Sequence, residues 1–320
     1  MRSIGSTSRK MPDEYRHILR HRWNMGCVAV AAALVWGGSA LATENGAQEY
    51  PIGIETAASA LFPPVGGTQF YNYNVYFQSS RLNDGNGNKL IPDFNLDVFA
   101  SAVRFIHSYA ELGPFTVSAG IVQPFVNIDL KVAPGVNFHS FGAADTVLQP
   151  VYLSTMAAPA TFVSFGLSID VPDGEFSRNN PASPGFNRYT FAPELALTYF
   201  PCEGCEFNVH SIFEFSQKNP ADNFQSGDEV TVEVTGGYSP FPSLPNLELE
   251  VTSFVFKQFT DDSQNGITLP GGNQGQAFAI GPQIRYNIEH GGFLGKFQHE
   301  FAVENRPQGD QFIFQFALPL

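Results

Sequence analysis

The chain has 320 residues, 43% apolar and 14% aromatic, with 30 Asp and Glu against 17 Lys and Arg and a formal net charge of −13. That balance argues against a nucleic-acid partner, because phosphate contacts need clustered Lys and Arg. With three Cys and seven His in all, no second CxxC and no His pair at ligand spacing, neither a metal nor a cofactor site is expected.

Residues 1–42 read as a cleaved export signal. Arg16, Arg20 and Arg22 form a basic leader, residues 25–41 an apolar Ala-rich core, and Ala40-Leu41-Ala42 a small-x-small cleavage site. A single membrane helix is the alternative, but the apolar stretch is short and lacks a basic flank after it. Cleavage removes six basic and two acidic residues, leaving 278 residues with 11 basic and 28 acidic side chains, a net charge of −17. Both Trp residues, Trp23 and Trp36, leave with the signal while all 31 Phe remain, so aromatic girdles would be built from Phe and Tyr.

Residues 43–67 precede the first strand and hold Leu61, Phe62 and the rigid Pro63-Pro64 pair. Two readings stand: an N-terminal plug folded into a lumen, with these four residues in it, or a periplasmic tail leading into the first strand.

From residue 68 onward, period-two alternation recurs between Gly/Pro/Asn/Asp clusters. It predicts about twelve strands over 68–82, 93–108, 113–129, 143–154, 160–171, 188–200, 206–217, 228–240, 246–259, 275–288, 293–304 and 310–320. In 189–200, for example, Tyr189, Phe191, Leu195, Leu197 and Tyr199 share one face while Thr190, Ala192, Glu194, Ala196 and Thr198 take the other. Gln123-Pro124 flips the alternation of the third strand and predicts a bulge. The ninth is expected to change face near Ser253.

The connections alternate in length. Those at 83–92, 130–142, 172–187, 218–227 and 260–274 are long and polar, and those at 110–112, 155–159, 201–205, 241–245 and 289–292 are short; the last link, 305–309, is short on the long-loop side. Long outer loops and short periplasmic turns are the pattern of an outer-membrane barrel. In the 201–205 turn, Cys202 and Cys205 are expected to form a disulfide after export to an oxidising compartment, with zinc or thiol exchange as the alternatives. Asp84-Gly85-Asn86-Gly87-Asn88 lacks the closing Glu of a calcium loop and reads as an outer loop.

The final strand puts Phe312, Phe314, Phe316, Leu318 and Leu320 on one face up to the chain end. An unprotected strand of that kind invites aggregation in water, whereas barrel closure in lipid removes the edge. A secreted β-sandwich would also alternate, but strand length, the two loop classes and this last strand favour the membrane. The fold class expected is therefore all-β: a transmembrane antiparallel barrel over 68–320, in the outer membrane, with membrane lipid as one partner.

Several phrases occur in order. They are Pro51-Ile52-Gly53, Leu61-Phe62-Pro63-Pro64-Val65-Gly66-Gly67-Thr68, Tyr71-Asn72-Tyr73, Leu82-Asn83-Asp84-Gly85-Asn86-Gly87, Gly142-Ala143-Ala144-Asp145, Pro172-Asp173-Gly174-Glu175-Phe176 and Phe224-Gln225-Ser226-Gly227-Asp228. Together they resemble the SphA-like family, described as transporters of the meta-pathway of phenol degradation, over roughly residues 50–320. The resemblance implies an outer-membrane barrel admitting small hydrophobic or aromatic compounds, similar in outline to the long-chain fatty acid transporters. It transfers no functional residues, and the CxxC turn departs from it.

If bulky apolar faces meet lipid, the other parity lines the lumen. That set is Asn72, Asn74, Asp170, Glu194, His210, Glu214, Glu229, Glu233, Arg285, Lys296, Gln298 and Glu300. Its excess acid would favour cations or neutral solutes in an open lumen. Alternatively the acids pair with Arg188, Arg285 and Lys296 and fill a narrow barrel. No catalytic residue is assigned. In His107-Ser108, His139-Ser140 and His210-Ser211 the two side chains point to opposite faces of a strand, and His299 sits among apolar residues. The reading is a passive channel for small hydrophobic solutes. The alternatives are a structural or adhesive barrel with a filled lumen and a small cation-preferring porin. No sequence feature sets the oligomeric state.

Overall fold

The structure, a computed structural model, describes residues 46–289 and 291–320. The expected signal, 1–42, lies outside the described residues, as do 43–45 of the segment before the first strand.

Among the described residues, sixteen strands follow in chain order: β1 (Thr68–Leu82), β2 (Asn95–Leu112), β3 (Phe115–Ala133), β4 (Val136–Ala143), β5 (Thr146–Ala158), β6 (Thr161–Val171), β7 (Thr190–Tyr199), β8 (Cys205–Ser216), β9 (Phe224–Gln225), β10 (Glu229–Tyr238), β11 (Leu247–Gln258), β12 (Ser263–Gln264), β13 (Ile267–Thr268), β14 (Gln276–Ile288), β15 (Gly291–Glu304) and β16 (Pro307–Pro319). Among the described residues, twelve of them close an antiparallel barrel, β1-β2-β3-β5-β6-β7-β8-β10-β11-β14-β15-β16 and back to β1. The two-residue strands β9, β12 and β13 tie together the long connections after β8 and β11.

Alternation explains the wall. In β7 the buried positions Thr190, Ala192, Glu194, Ala196 and Thr198 face inward, and Phe191, Leu195 and Tyr199 face outward. Outward rows meet hydrocarbon and are apolar; inward rows meet the N-terminal segment and are polar. The greasy last strand is sealed by pairing with β1 from Gln69↔Pro319 to Leu82↔Pro307, so it presents no open edge. Its Phe312 and Phe314 remain half exposed and pack on Phe297 and Phe293 of β15, with ring centroids 4.9 and 6.4 Å apart.

Four details differ from the sequence reading. β3 runs unbroken through Gln123-Pro124, and the irregularity falls on the strand opposite. There β4 pairs with Phe125–Ala133 and β5 with the lower part of β3, leaving a break at Ala144-Asp145. Residues 130–142, expected as a loop, are mostly the extended β3–β4 hairpin. The connection after β6 docks on the free edge of β4: Glu175 N donates to Ala143 O at 2.8 Å, and Asp145 accepts from Gly174 N and Phe186 N at 2.8 and 2.7 Å.

β11 keeps one parity throughout. Its Phe254 and Phe256 face inward because Ile52 of the N-terminal segment offers them an apolar partner there. The last link also shrinks, to a tight turn at Asn305-Arg306. At the periplasmic turn, Cys202 and Cys205 are joined by a disulfide with their Cα atoms 5.1 Å apart.

Candidate functional site

The lumen is occupied by the chain's own N-terminal segment. Gly46 lies against Arg306 and Pro307, at the outer end of the barrel, and the segment descends to Ala60, whose N–H donates to Thr198 Oγ1 at the periplasmic end. Pro64 O then accepts from Gly67 N at 2.8 Å in the turn that leads into β1.

Wall side chains hold this backbone along its length, satisfying groups that have no ladder partner. Glu214 accepts from Tyr50 N at 3.3 Å, and Gln311 donates to Ile52 O at 2.9 Å. Glu233 accepts from Tyr50 Oη at 2.9 Å and Glu55 N at 3.1 Å. Lys296 Nζ donates to Ile54 O at 3.1 Å and Thr56 Oγ1 at 2.6 Å, and Thr56 in turn donates to Gln283 at 2.6 Å. Glu206 accepts from Ala58 N at 2.8 Å. Gly53 has φ +85°, and a Cβ there would lie 2.3 Å from Gln298 Oε1, so the wall approaches the backbone too closely for a side chain.

Charge pairs knit the same space. Glu55 accepts from Arg104 at 2.6 Å and from Tyr73 Oη at 3.1 Å. Glu49 meets Arg188 at 2.9 Å. His210 bridges Glu194 and Glu233, at 3.2 Å from each. Arg285 meets Glu206, Glu248 at 2.5 Å and Glu250 at 3.5 Å. Lower down, the Phe62 and Tyr152 rings lie 4.9 Å apart, and Tyr152 Oη donates to Glu194 at 2.8 Å. The cavity among these groups, lined by Glu55, Phe62, Arg104, Tyr152, Glu194 and His210, measures about 30 Å³. That is room for about one water.

Of the residues picked from sequence, Asp170, Glu194, His210, Glu214, Glu229, Glu233, Arg285, Lys296, Gln298 and Glu300 are buried on inward positions. Glu229 accepts from Gln48 at 3.3 Å and Glu300 from Gly309 N at 2.9 Å. Leu61 and Phe62 border the small cavity, while Pro63 and Pro64 form the turn below it.

Asn72 and Asn74 are a correction: they face outward. Tyr73 and Val75 of β1 pack inward on Ile54 and Ile313, with Tyr71 beside them, which sends the alternate positions to the lipid side. The sequence reading took bulk for the lipid face, but a Tyr is amphipathic, and the Tyr73 hydroxyl is spent on Glu55. Sequence reasoning also missed Arg104, Gln149, Glu206, Glu248 and Glu250 as buried inward polar groups. For Glu248 and Glu250, the alternation with Leu247, Leu249 and Val251 in β11 was the available signal.

A second feature lies in the wall. A depression of about 540 Å³ spans β11, β14, β15 and β16. Leu249, Ile284, Phe297 and Phe312 border it from the lipid side, and Glu250, Gln283 and Lys296 from the inward rows. Two residues create it. Pro282 has no N–H, and the β14–β15 pairing is interrupted at Gly281 and Pro282. Gly295 carries no side chain, and a Cβ there would meet nothing nearer than Ile284 Cγ2 at 3.8 Å. Gln283 and Lys296, which hold Thr56, thus also line the depression.

A family model described as "Putative MetA-pathway of phenol degradation" matches residues 79–316. The chain belongs to this family. The match begins near the top of β1, so the lumen-filling segment lies before it. Among solved structures, an outer membrane channel from Pseudomonas putida F1 is similar at 15% identity and TM-score 0.72, over 82% of this chain and 98% of that one. The β domain of the Bordetella autotransporter BrkA is similar at 10% identity and TM-score 0.50, over 79% of this chain and 99% of that one. At such identities the likeness establishes the fold, a barrel of the outer-membrane kind. None of the curated proteins matches the chain.

Proposed function

We propose that this family member is an outer-membrane channel for passive passage of small hydrophobic or aromatic compounds, and that they cross the wall sideways. The depression at Pro282 and Gly295 carries the reading, because its lining joins lipid-facing apolar groups to the lumen residues that hold Thr56. An axial aqueous route is filled by residues 46–67 and their polar partners. In this scheme the segment is the gate: release of Thr56 from Gln283 and Lys296 opens a path between lumen and hydrocarbon. The buried inward residues and Leu61, Phe62, Pro63 and Pro64 serve as its latch and base, and residues 1–42 direct export. The polysaccharide leaflet slows apolar solutes, so a protein route for them has a physical purpose. The family description, with its link to phenol degradation, agrees with an aromatic solute class.

The test is uptake by intact cells of a phenolic, a long-chain fatty acid and a small sugar, with the protein present, absent, or carrying Gly295→Leu. The substitution fills the depression from the lipid side and leaves the inward network alone. The expected result is loss of phenolic or fatty-acid uptake in both the deletion and the variant, with sugar uptake unchanged. Full uptake by the variant would overturn the wall route. Unchanged uptake in the deletion strain would overturn transport of these classes. It would favour the second reading, a structural barrel, which the filled lumen supports.

A further inference from the structure

Thr56 sits between a donor and an acceptor. Its hydroxyl oxygen accepts from Lys296 Nζ at 2.6 Å, and its hydrogen is donated to Gln283 Oε1 at 2.6 Å. All three side chains are buried, and Gln283 and Lys296 are register partners on β14 and β15. Both also line the depression in the wall, beside the apolar groups Leu249, Ile284, Phe297 and Phe312.

The polarity of this pair is fixed. Gln283 Nε2 donates to Glu250, which leaves the carboxamide oxygen for Thr56. Lys296 has three N–H donors, and Ile54 O takes one of them at 3.1 Å and Thr56 another. The lumen's ion pairs run to Arg104, Arg188, His210 and Arg285, and among the described residues no carboxylate lies within ion-pair distance of Lys296. An N–H and a C=O thus stand side by side, bridged by one O–H.

We propose that Lys296 and Gln283 form a site for a hydroxyl group of the passing solute, with the Thr56 hydroxyl as the chain's own stand-in for it. This site rests on the channel reading above, for which it supplies the trigger of the gate. The solute class is a neutral apolar body carrying one hydroxyl, aromatic or aliphatic. Its body lies against Leu249, Ile284, Phe297 and Phe312, and its O–H takes the place of the Thr56 O–H. One hydroxyl replaces another, so neither Lys296 nor Gln283 loses a partner when Thr56 leaves. An ether accepts from Lys296 but has no hydrogen for Gln283, and a hydrocarbon serves neither. Each would leave a buried polar group unpaired, which is how a polar site rejects analogues. A carboxylate likewise has no hydrogen for Gln283, must pass the apolar groups as a charge, and meets Glu250 in the same depression.

The test compares phenol, cyclohexanol, anisole, toluene and benzoate. Uptake by intact cells is taken as the difference between strains with and without the full-length protein. Uptake of phenol and cyclohexanol is expected to exceed that of the other three by at least about ten-fold. Lys296→Met, with folding checked by heat-modifiability, is expected to abolish this preference. Thr56→Val removes only the stand-in, and is expected to keep the preference and speed phenol uptake. In purified protein, phenol is expected to speed amide exchange at Glu55 and Ala58, whose N–H groups are held by Glu233 and Glu206, and anisole to leave it unchanged. Protein-dependent uptake without a hydroxyl preference, or a preference that survives Lys296→Met or is lost in Thr56→Val, would overturn the hydroxyl site and leave the channel standing. Exchange that answers to phenol in a protein giving no uptake of any probe would overturn the channel and leave a hydroxyl-binding site standing. No response in either assay would overturn both.

Discussion

The Tyr152 ring fills the space that a side chain at Gly166 would occupy on the neighbouring strand. A Cβ at Gly166 would lie 2.1 Å from Tyr152 Cε1, and the two residues are register partners between β5 and β6. The glycine thus lets an aromatic ring lie along the wall, with its hydroxyl on Glu194 and its face toward Phe62.

Gly166→Val should therefore be severe for an added side chain of that size. It displaces Tyr152, removes its bonds to Glu194 and Gln149 and loosens Phe62. Overpacking of this kind costs about 1–3 kcal/mol. The thermal midpoint of the heat-modifiable band should fall, and single-channel conductance in planar bilayers should rise as the base of the segment loosens.

Arg285 is the counter-ion to Glu206, Glu248 and Glu250, all buried or nearly so. Arg285→Met leaves the three carboxylates facing one another without it. Removing one partner of a buried pair costs about 3–5 kcal/mol. The expected outcome is a large drop in unfolding midpoint, partly restored by adding Glu206→Gln and Glu248→Gln in the same chain.

Phe314 faces hydrocarbon from the last strand and is 48% exposed. Phe314→Arg should destabilise the barrel by about 2–4 kcal/mol, the cost of a charge at the bilayer midplane. Phe314→Leu should cost far less. Urea unfolding of vesicle-reconstituted protein distinguishes the two.

In the outer loop after β1, Asp84 Oδ1 accepts from Asn86 N and Asn88 N at 2.9 and 2.8 Å, and these bonds lower the carboxyl's pKa below its usual value. A depressed carboxylate pKa means that its contribution to loop order is full above the ordinary carboxylate range and fades as pH falls through the folded value. Amide exchange at Asn86 and Asn88 should speed up on acidification. Asp84→Asn should flatten that dependence.

Much of this architecture was legible in the residues. The wall is dictated by period-two alternation, and the inward rows of β7, β8 and β10 follow it directly. Reading failed where a third component altered what a face meets. Phe254 and Phe256 look lipid-facing until Ile52 is placed beside them, and Tyr71 and Tyr73 look external until Glu55 and Arg104 are in the lumen. Alternation separates two faces but does not say which is inside when a strand carries Tyr on one and Asn with Phe on the other. The depression was illegible for a related reason. Pro282 and Gly295 lie on consecutive strands, and it takes the β14–β15 register to bring them into one patch of wall.

The lumen-filling segment has a consequence for assembly. It precedes every strand, yet Glu206, Gln283, Lys296 and Gln311, which grip it, lie on β8, β14, β15 and β16. Loop closure over more than a hundred residues must be completed before those grips exist, which makes its docking a late and slow event. Until the seam between β1 and β16 closes, the segment lacks the grips of Gln283, Lys296 and Gln311, and closure of the wall and full occlusion of the lumen become a single cooperative step.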